Sequence, residues 1–434
     1  WVRAAAAWRG AGDQATVEAV LHAALGRAGR SQVTLGGRRR RLPPGETAAQ
    51  WLQRHFALQN QASSPTSRQW TTFRGNATRN AVSRGGLPHM RIRWDQQLLD
   101  YGRLEQLFED FRAEYLRAGK LTPVANTPLA VGDVVLVRTP HNLLAVDFQT
   151  GKRIWETERR RVDELEHLIR RPVVTSDEDS DPAPARAFAR RLWEDYLYGI
   201  VTSDGERVFV VRDLPMPDAR DVDEWTMLRG RGIDGGALVN RLCAYDLAAE
   251  GKLAWQIDGA EGDDLRGAFF LGAPLALGDQ LYCLAEIRGS AIELIALEAA
   301  TGQVQWRQQL VHLERGVAVD RNRRLQASMP SYDAGMLVCP TGAGVVIGVE
   351  LGKRSLSWAY RYAPKELPDR RRRRDPRSVY QRQLQGGWTD AAVVLAGGRV
   401  LLTPPESDHL HCLDLQTGEL LWKTPRKAMN RLAC

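Results

Sequence analysis

One sentence of sequence recurs along this chain, and it restricts the fold more than any other feature. Ala145-Val146-Asp147-Phe148-Gln149-Thr150-Gly151-Lys152-Arg153-Ile154-Trp155 returns far downstream as Cys412-Leu413-Asp414-Leu415-Gln416-Thr417-Gly418-Glu419-Leu420-Leu421-Trp422. Between them stand Glu298, Thr301, Gly302 and Trp306 in the same register, and a looser copy with Asp246, Gly251 and Trp255. A fifth copy keeps only the acid and the ring, Glu350 and Trp358. Each part has a physical reason. An apolar alternating run ending in an acid reads as a strand, and the carboxylate can accept N–H groups of the turn that follows. Thr-Gly supplies that turn, because glycine takes the positive φ that a side chain resists. The next strand then carries a tryptophan large enough to fill a wedge between neighbouring sheets.

A second hairpin precedes the motif, with Gly132-Asp133, Gly278-Asp279 and Gly397-Gly398 as its turns. That makes four strands per copy. Such units at a period of about 40 to 50 residues describe propeller blades, which bury their faces only by stacking on the next copy. Trp255, Trp306 and Trp358 are spaced for one blade each, whereas the interval from Trp155 to Trp255 demands a large insertion. The fold class expected is all-β, a β-propeller of four-stranded blades with five visible.

These residues resemble the repeat of the PQQ-like (quinoprotein-type) propellers, AxDxxTGxxxW, over about Trp70 to Trp422. Gln69-Trp70-Thr71-Thr72-Phe73-Arg74-Gly75-Asn76, then Leu87-Pro88 and Arg91 to Trp94, is similar to the opening of many bacterial members. The resemblance implies a ring of seven or eight blades, with the missing ones beyond Cys434, and an outer strand at Arg91 to Trp94 that closes the ring. It implies a periplasmic or other extracytoplasmic location. It also implies two functional readings. The lipoprotein branch of outer-membrane protein assembly is a noncatalytic scaffold that binds protein partners, so no cofactor is expected. The dehydrogenase branch uses PQQ and calcium, and holds the quinone between a Trp and a disulfide of adjacent cysteines. No two cysteines are adjacent here, and calcium or base positions of that branch have no match in this sequence. The expectation is therefore a noncatalytic scaffold binding a protein or cell-envelope partner through its face or interblade grooves, with the PQQ- and calcium-dependent dehydrogenase as the alternative.

The domains expected are a helical segment over 1–62, read as the possible tail of a helical-repeat domain, and the propeller over 69–434, incomplete at its C-terminal end. Helical insertions are expected at about 98–118, with Leu104, Phe108, Phe111 and Tyr115 on a face that packs on the propeller surface, and at about 158–198, around Phe188, Leu192 and Tyr196. No run of about 18 apolar residues suggests a membrane span.

The formal charge of +8 comes partly from Arg38 to Arg41 and Arg370 to Arg374. Both runs read as solvated loops, since nucleic-acid binding wants basic residues interleaved with aromatics on one face. Nucleic-acid or anionic-surface binding stays a second alternative. Cys243, Cys283, Cys339 and Cys412 sit in apolar segments and read as buried thiols. Asp177-x-Asp179-x-Asp181 begins like a calcium loop, but Pro182 stands where glycine is required. His409-x-His411 places two imidazoles on one strand face, read as surface histidines for want of a third ligand. Gly342-x-Gly344 lacks the dinucleotide spacing, so no catalytic or metal residue is assigned.

Overall fold

The computed structural model describes residues 69–82, 92–99, 102–117, 125–158, 183–214, 232–233, 237–260, 264–318, 320–362 and 392–425, together with the backbone of 32–35 and 38–41. Five antiparallel sheets follow one another along the chain. The first runs β3 (Leu129–Val131), β4 (Val134–Arg138), β5 (Leu143–Asp147) and β6 (Arg153–Glu156). The second is β7 (Thr202–Ser203), β8 (Arg207–Arg212), β11 (Arg241–Asp246) and β12 (Lys252–Asp258). In the third, β13 (Ala268–Phe270) and β14 (Leu275–Leu277) both pair with β15 (Gln280–Ile287), which continues to β16 (Ala291–Glu298) and β17 (Val304–His312). The fourth is β18 (Ser331–Asp333), β19 (Met336–Pro340), β20 (Val345–Glu350) and β21 (Ser355–Arg361). The fifth is β22 (Val394–Ala396), β23 (Arg399–Leu402), β24 (His409–Asp414) and β25 (Leu420–Pro425). Each pairs its strands antiparallel in chain order, as blades of a propeller require, with an excursion between β8 and β11 in the second and two first strands on β15 in the third.

Burial follows strand order. The third strand of every sheet is covered on both faces, because sheets stack on either side of it; β16 reads as a nearly continuous apolar run for that reason. The outermost strands expose alternate residues, with Ile154, Leu253 and Leu356 in solvent. The largest core lies around the third sheet, from Phe209 and Leu242 through Phe269 and Leu294 to Leu337 and Ile347.

Trp70 to Ala81 runs along the innermost strands. Trp70 exchanges backbone hydrogen bonds with Ala130 of the first sheet at 2.6 and 3.2 Å, and the Thr71 carbonyl accepts from Ser203 of the second at 2.8 Å. Farther on, the Ala77 carbonyl accepts from Tyr332 of the fourth sheet at 2.9 Å and that of Thr78 from Leu395 of the fifth at 2.8 Å. Phe73 and Ala77 belong to the core around the third sheet. The axial space between inner strands is thus occupied by the chain itself.

Several expectations need correction. The arginines Arg38 to Arg41 are not a loop but β2 (Arg38–Arg41), paired antiparallel with β1 (Gln32–Leu35), so a strand pair interrupts the segment expected to be helical. The helix Gly102–Arg117 packs on another helix, Ala183–Trp193, rather than on a sheet: Leu104 and Phe108 meet Phe188, Leu192 and Trp193, and the Phe108 and Trp193 rings stack at 4.6 Å. The excess between Trp155 and Trp255 is split. Part of it precedes β7, and the rest leaves the second sheet between β8 and β11, where β9 (Gly232–Ile233) and β10 (Ala237–Leu238) pair. Ile92 to Trp94 belongs to no sheet. It has no neighbouring strand to pair with among the described residues. Arg370 to Arg374, Asp177 to Pro182 and Leu87-Pro88 lie outside the described residues.

Candidate functional site

Two ends of the sheets must be told apart. In a four-stranded meander the turns joining strands one to two and three to four emerge at one end, and the connections two to three and four to one at the other. The repeated motif builds the first end. Oδ1 of Asp147 accepts the N–H groups of Gln149 and Thr150 at 3.0 and 2.6 Å and the Thr150 hydroxyl at 2.7 Å. These bonds hold the Asp147 carboxyl below the usual carboxylate range. Asp414 repeats the pattern with Gln416 and Thr417, and Asp246 accepts from Ala249 at 2.9 Å. A glutamate is one methylene longer and does otherwise: Glu298 takes the Thr301 hydroxyl, and Glu350 pairs with Lys353 at 3.2 Å.

Each motif tryptophan follows a bulge. Trp155 pairs with Ala145 while Arg153 pairs with Val146, leaving Ile154 as the extra residue. Trp255, Trp306, Trp358 and Trp422 have the same offset against Ala244, Ala296, Gly348 and Cys412. A bulge bends the strand and re-aims the side chain, and a small opposing residue makes room for it. Four rings lie on the glycine of the following turn. A Cβ on Gly151 would stand 2.5 Å from Trp94, on Gly251 2.4 Å from Trp155, on Gly302 2.7 Å from Trp255 and on Gly418 2.5 Å from Trp358. Indole Nε1 of Trp94, Trp255 and Trp358 donates to the carbonyls of Phe148, Ala299 and Leu415 at 3.0, 3.0 and 2.9 Å. The fourth turn lacks the glycine, and Arg354 takes its left-handed place at φ 54°, with its guanidinium 5.8 Å from the Trp306 ring centre. Trp422 differs from the expected wedge. It is 41% exposed, against 9% for Trp155 and Trp358, because no described sheet follows the fifth.

The opposite end is irregular and charged. Arg138 and Arg212 close the second strands of the first and second sheets. Arg138 is buried, donates to the Tyr198 carbonyl at 2.7 Å and lies 3.8 Å from the centre of that ring. Arg191 stands 4.8 Å from the same ring and bridges to Asp195, whose other oxygen caps the helix Tyr196–Gly199 through the Tyr198 N–H. Arg212 donates to the Tyr245 hydroxyl. Arg324, also buried, donates to the Val317 and Ala318 carbonyls and approaches Asp195 from the helix Arg321–Leu325. Three guanidiniums, those of Arg138, Arg191 and Arg324, therefore face the Asp195 carboxylate, and Arg212 stands beside Arg138. Burial lowers the pKa of Arg138, and Arg212 and Arg191 lower it further, while Tyr198 and Asp195 oppose the shift. Burial raises the pKa of Asp195, and Arg191 and the Tyr198 N–H pull it back.

Farther round the same end, Glu286 is buried and fully engaged: it accepts from Val317 N–H at 2.6 Å and from Arg323 at 2.8 Å, and Arg323 also bridges to Asp320 at 2.9 Å. This clips residues 313–327 to the third sheet. His411 is not a surface histidine. It is buried, with Nδ1 3.0 Å from the Tyr360 hydroxyl and Nε2 2.8 Å from the Ser407 hydroxyl, so both ring nitrogens are used and neither is free for a metal. Burial, with His409 and Lys423 adding to it, lowers its pKa to about 4. Sequence reasoning missed the arginine group, since a single Arg at a strand end carries no signal. Only superposing the copies puts Arg138 and Arg212 at one position.

Cys243, Cys283, Cys339 and Cys412 are buried free thiols. Among the described residues no three His, Cys, Asp or Glu side chains converge on a metal position. No described helix is long and apolar enough to cross a membrane.

The family described as outer membrane protein assembly factor BamB matches residues 186–424, more than half of the chain. No curated protein matches the sequence. Similar solved structures include BamB from Moraxella catarrhalis, 14% identical with a TM-score of 0.37, covering 68% of this chain and 58% of that one. A europium-containing methanol dehydrogenase is 13% identical with a TM-score of 0.46, covering 82% and 58%. The quinohemoprotein alcohol dehydrogenase of Comamonas testosteroni is 14% identical with a TM-score of 0.41, covering 84% and 50%. The chain thus spans between 50% and 58% of the length of these three, and likenesses so distant say nothing of its chemistry.

Proposed function

The chain belongs to the family of the outer membrane protein assembly factor BamB, a family of PQQ-like propellers, and on that premise we propose that it is a noncatalytic scaffold that binds a protein or cell-envelope partner. One observation carries the reading. The axial space, where dehydrogenases of this kind keep their quinone, is filled by Trp70 to Ala81, which is hydrogen-bonded to the inner strands of four sheets. Arg79, its largest fully buried side chain, donates there to the Phe73 and Pro330 carbonyls at 3.1 and 3.2 Å. A cation held by carbonyl oxygens repels calcium rather than coordinating it. Cys243, Cys283, Cys339 and Cys412 stand singly on separate strands and no two cysteines are adjacent in the sequence, so the adjacent-cysteine disulfide of that branch has no counterpart here. The described residues that fill the axial space do not fit the quinone and calcium, and no redox step is assigned to them.

Fold leaves the activity open, so the site must decide it. The partner surface belongs to the irregular end, where the insertions and the longer connections stand, and the location consistent with the family is the bacterial envelope. The deciding experiment loads the full-length protein with PQQ and Ca²⁺ and follows dye reduction with alcohols and sugars as donors. No donor-dependent turnover is expected. Turnover would put the chain among the PQQ- and calcium-dependent dehydrogenases instead.

A further inference from the structure

We infer that the irregular end holds a binding site for an oxyanion-bearing ligand, with a carboxylate or phosphate group seated between Arg138 and Arg212 at the junction of the first and second sheets. The two arginines occupy one structural position in successive blades, the last residue of the second strand. Both charges act on the Cys243 thiol of β11, and the charge of Arg212 acts on Arg138. Arg138 is buried and Arg212 half-buried, yet the hydrogen-bond and ring partners of both are neutral: the Tyr198 carbonyl and ring for one, the Tyr245 hydroxyl and ring for the other.

Neighbouring arginines show what the fold does when it means to neutralise one. Arg323 has Glu286 and Asp320, Arg241 has Asp213 and Asp258, Arg191 has Asp195, and Arg207 has Asp204. Among the described residues Arg138 and Arg212 form no ion pair. Asp195, the carboxylate nearest to Arg138, is committed to Arg191 and to the Tyr198 N–H, and Arg324 adds a further cation beside it. Like charges brought together in a partly desolvated place are unfavourable unless an anion joins them. Two guanidinium forks offer paired N–H donors that match the two oxygens of a carboxylate or phosphate. The Tyr245 hydroxyl adds a group beside the same position.

This inference stands apart from the scaffold reading, since a noncatalytic propeller and an enzyme could both use such a site. Inorganic phosphate and citrate serve as probes, titrated into the full chain at constant ionic strength, with melting temperature and calorimetric heat as readouts. Saturable binding of at least one is expected, and the preferred probe tells phosphate from carboxylate. Arg212→Gln should weaken it at least about tenfold, as losing a charge-assisted hydrogen bond implies. Arg212→Lys, which keeps the charge without the fork, should fall between. Arg207→Gln, at the opposite end, should leave binding unchanged. Arg138→Gln is the stricter test if it folds; the half-buried Arg212 variants decide the matter if it does not. Absence of saturable binding by either probe, or equal affinity in wild type and Arg212→Gln, overturns the inference.

Discussion

Truncating Trp358 and truncating Trp422 should have unequal effects, although the two residues close the same motif. Trp358 is 9% exposed and lies against the glycines Gly348 and Gly418, with Nε1 donating to the Leu415 carbonyl at 2.9 Å. An indole buries about 150–250 Å², so at about 25 cal/mol per Å² a ring covered to this degree contributes about 4 kcal/mol. Alanine at 358 would also leave a void in the apolar cluster that holds Met336, Val338, Val400 and Leu413, and it would strip the Leu415 carbonyl of its donor. A loss of about 4–5 kcal/mol is therefore expected for Trp358→Ala, near the upper end of aromatic truncations. Trp422 is 41% exposed and caps no cavity, so Trp422→Ala should cost about 2 kcal/mol, with solvent refilling the space. The difference is more secure than either value, because the unfolded reference largely cancels. Urea unfolding followed by far-ultraviolet circular dichroism, with both variants compared at equal m, measures it. Equal losses, or a larger loss at 422, would refute the view that these rings act by lodging against the next sheet.

Two further outcomes are expected. Gly251→Ala places a methyl group at φ 74° and 2.4 Å from the Trp155 ring, so it should lower the melting temperature far more than Gly132→Ala, which meets open space at φ 58° and costs only about 1 kcal/mol of backbone strain. His411 has a folded pKa of about 4 against an ordinary 6.5, so between these values the unfolded chain holds a proton that the folded chain refuses; stability should fall by about 2–3 kcal/mol as pH drops from 6.5 to 4, and a His411→Gln variant should lack that slope in pH-dependent melts.

Much of the blade was legible because the motif encodes geometry directly. The spacing from acid to tryptophan holds the turn and the bulge together, and the small residue two places before the acid, Ala145 or Gly348 for example, marks where the ring folds back. The degenerate fourth copy shows the limit. Sequence alone gives no sign that Arg354 takes a left-handed conformation and lays its guanidinium over Trp306 in place of the missing glycine. The pairing of Gln32–Leu35 with Arg38–Arg41 is hidden because a run of four arginines carries no alternation and reads as solvated charge. His411 could not be placed, because alternation tells that it shares a face with His409 and not that the face meets Tyr360 of the neighbouring sheet. The axial role of Trp70 to Ala81 rests on contacts hundreds of residues apart, such as Arg79 with Pro330, which no local signal reports.

The two ends of the sheets carry different kinds of information, and this bears on where function resides. At the motif end the turns are short and repeated: Gly132-Asp133, Gly278-Asp279 and Gly397-Gly398 in one set, and the acid with Thr-Gly in the other. Their residues are tied to backbone conformation and to the neighbouring ring, so substitutions there act first on stability. At the other end the connections range from residues 139–142 and 341–344 to the excursion 213–240 and the helical segments 183–199 and 321–325. Nothing in the repeat dictates what they contain, and a rigid scaffold that fixes strand ends while freeing connections is how loops come to carry recognition. The arginines Arg138, Arg212 and Arg324 stand at that free end, held by neutral groups, while paired arginines secure the same segments around them. A chain that needed those three cations only for folding could have paired them as it paired Arg323 and Arg241.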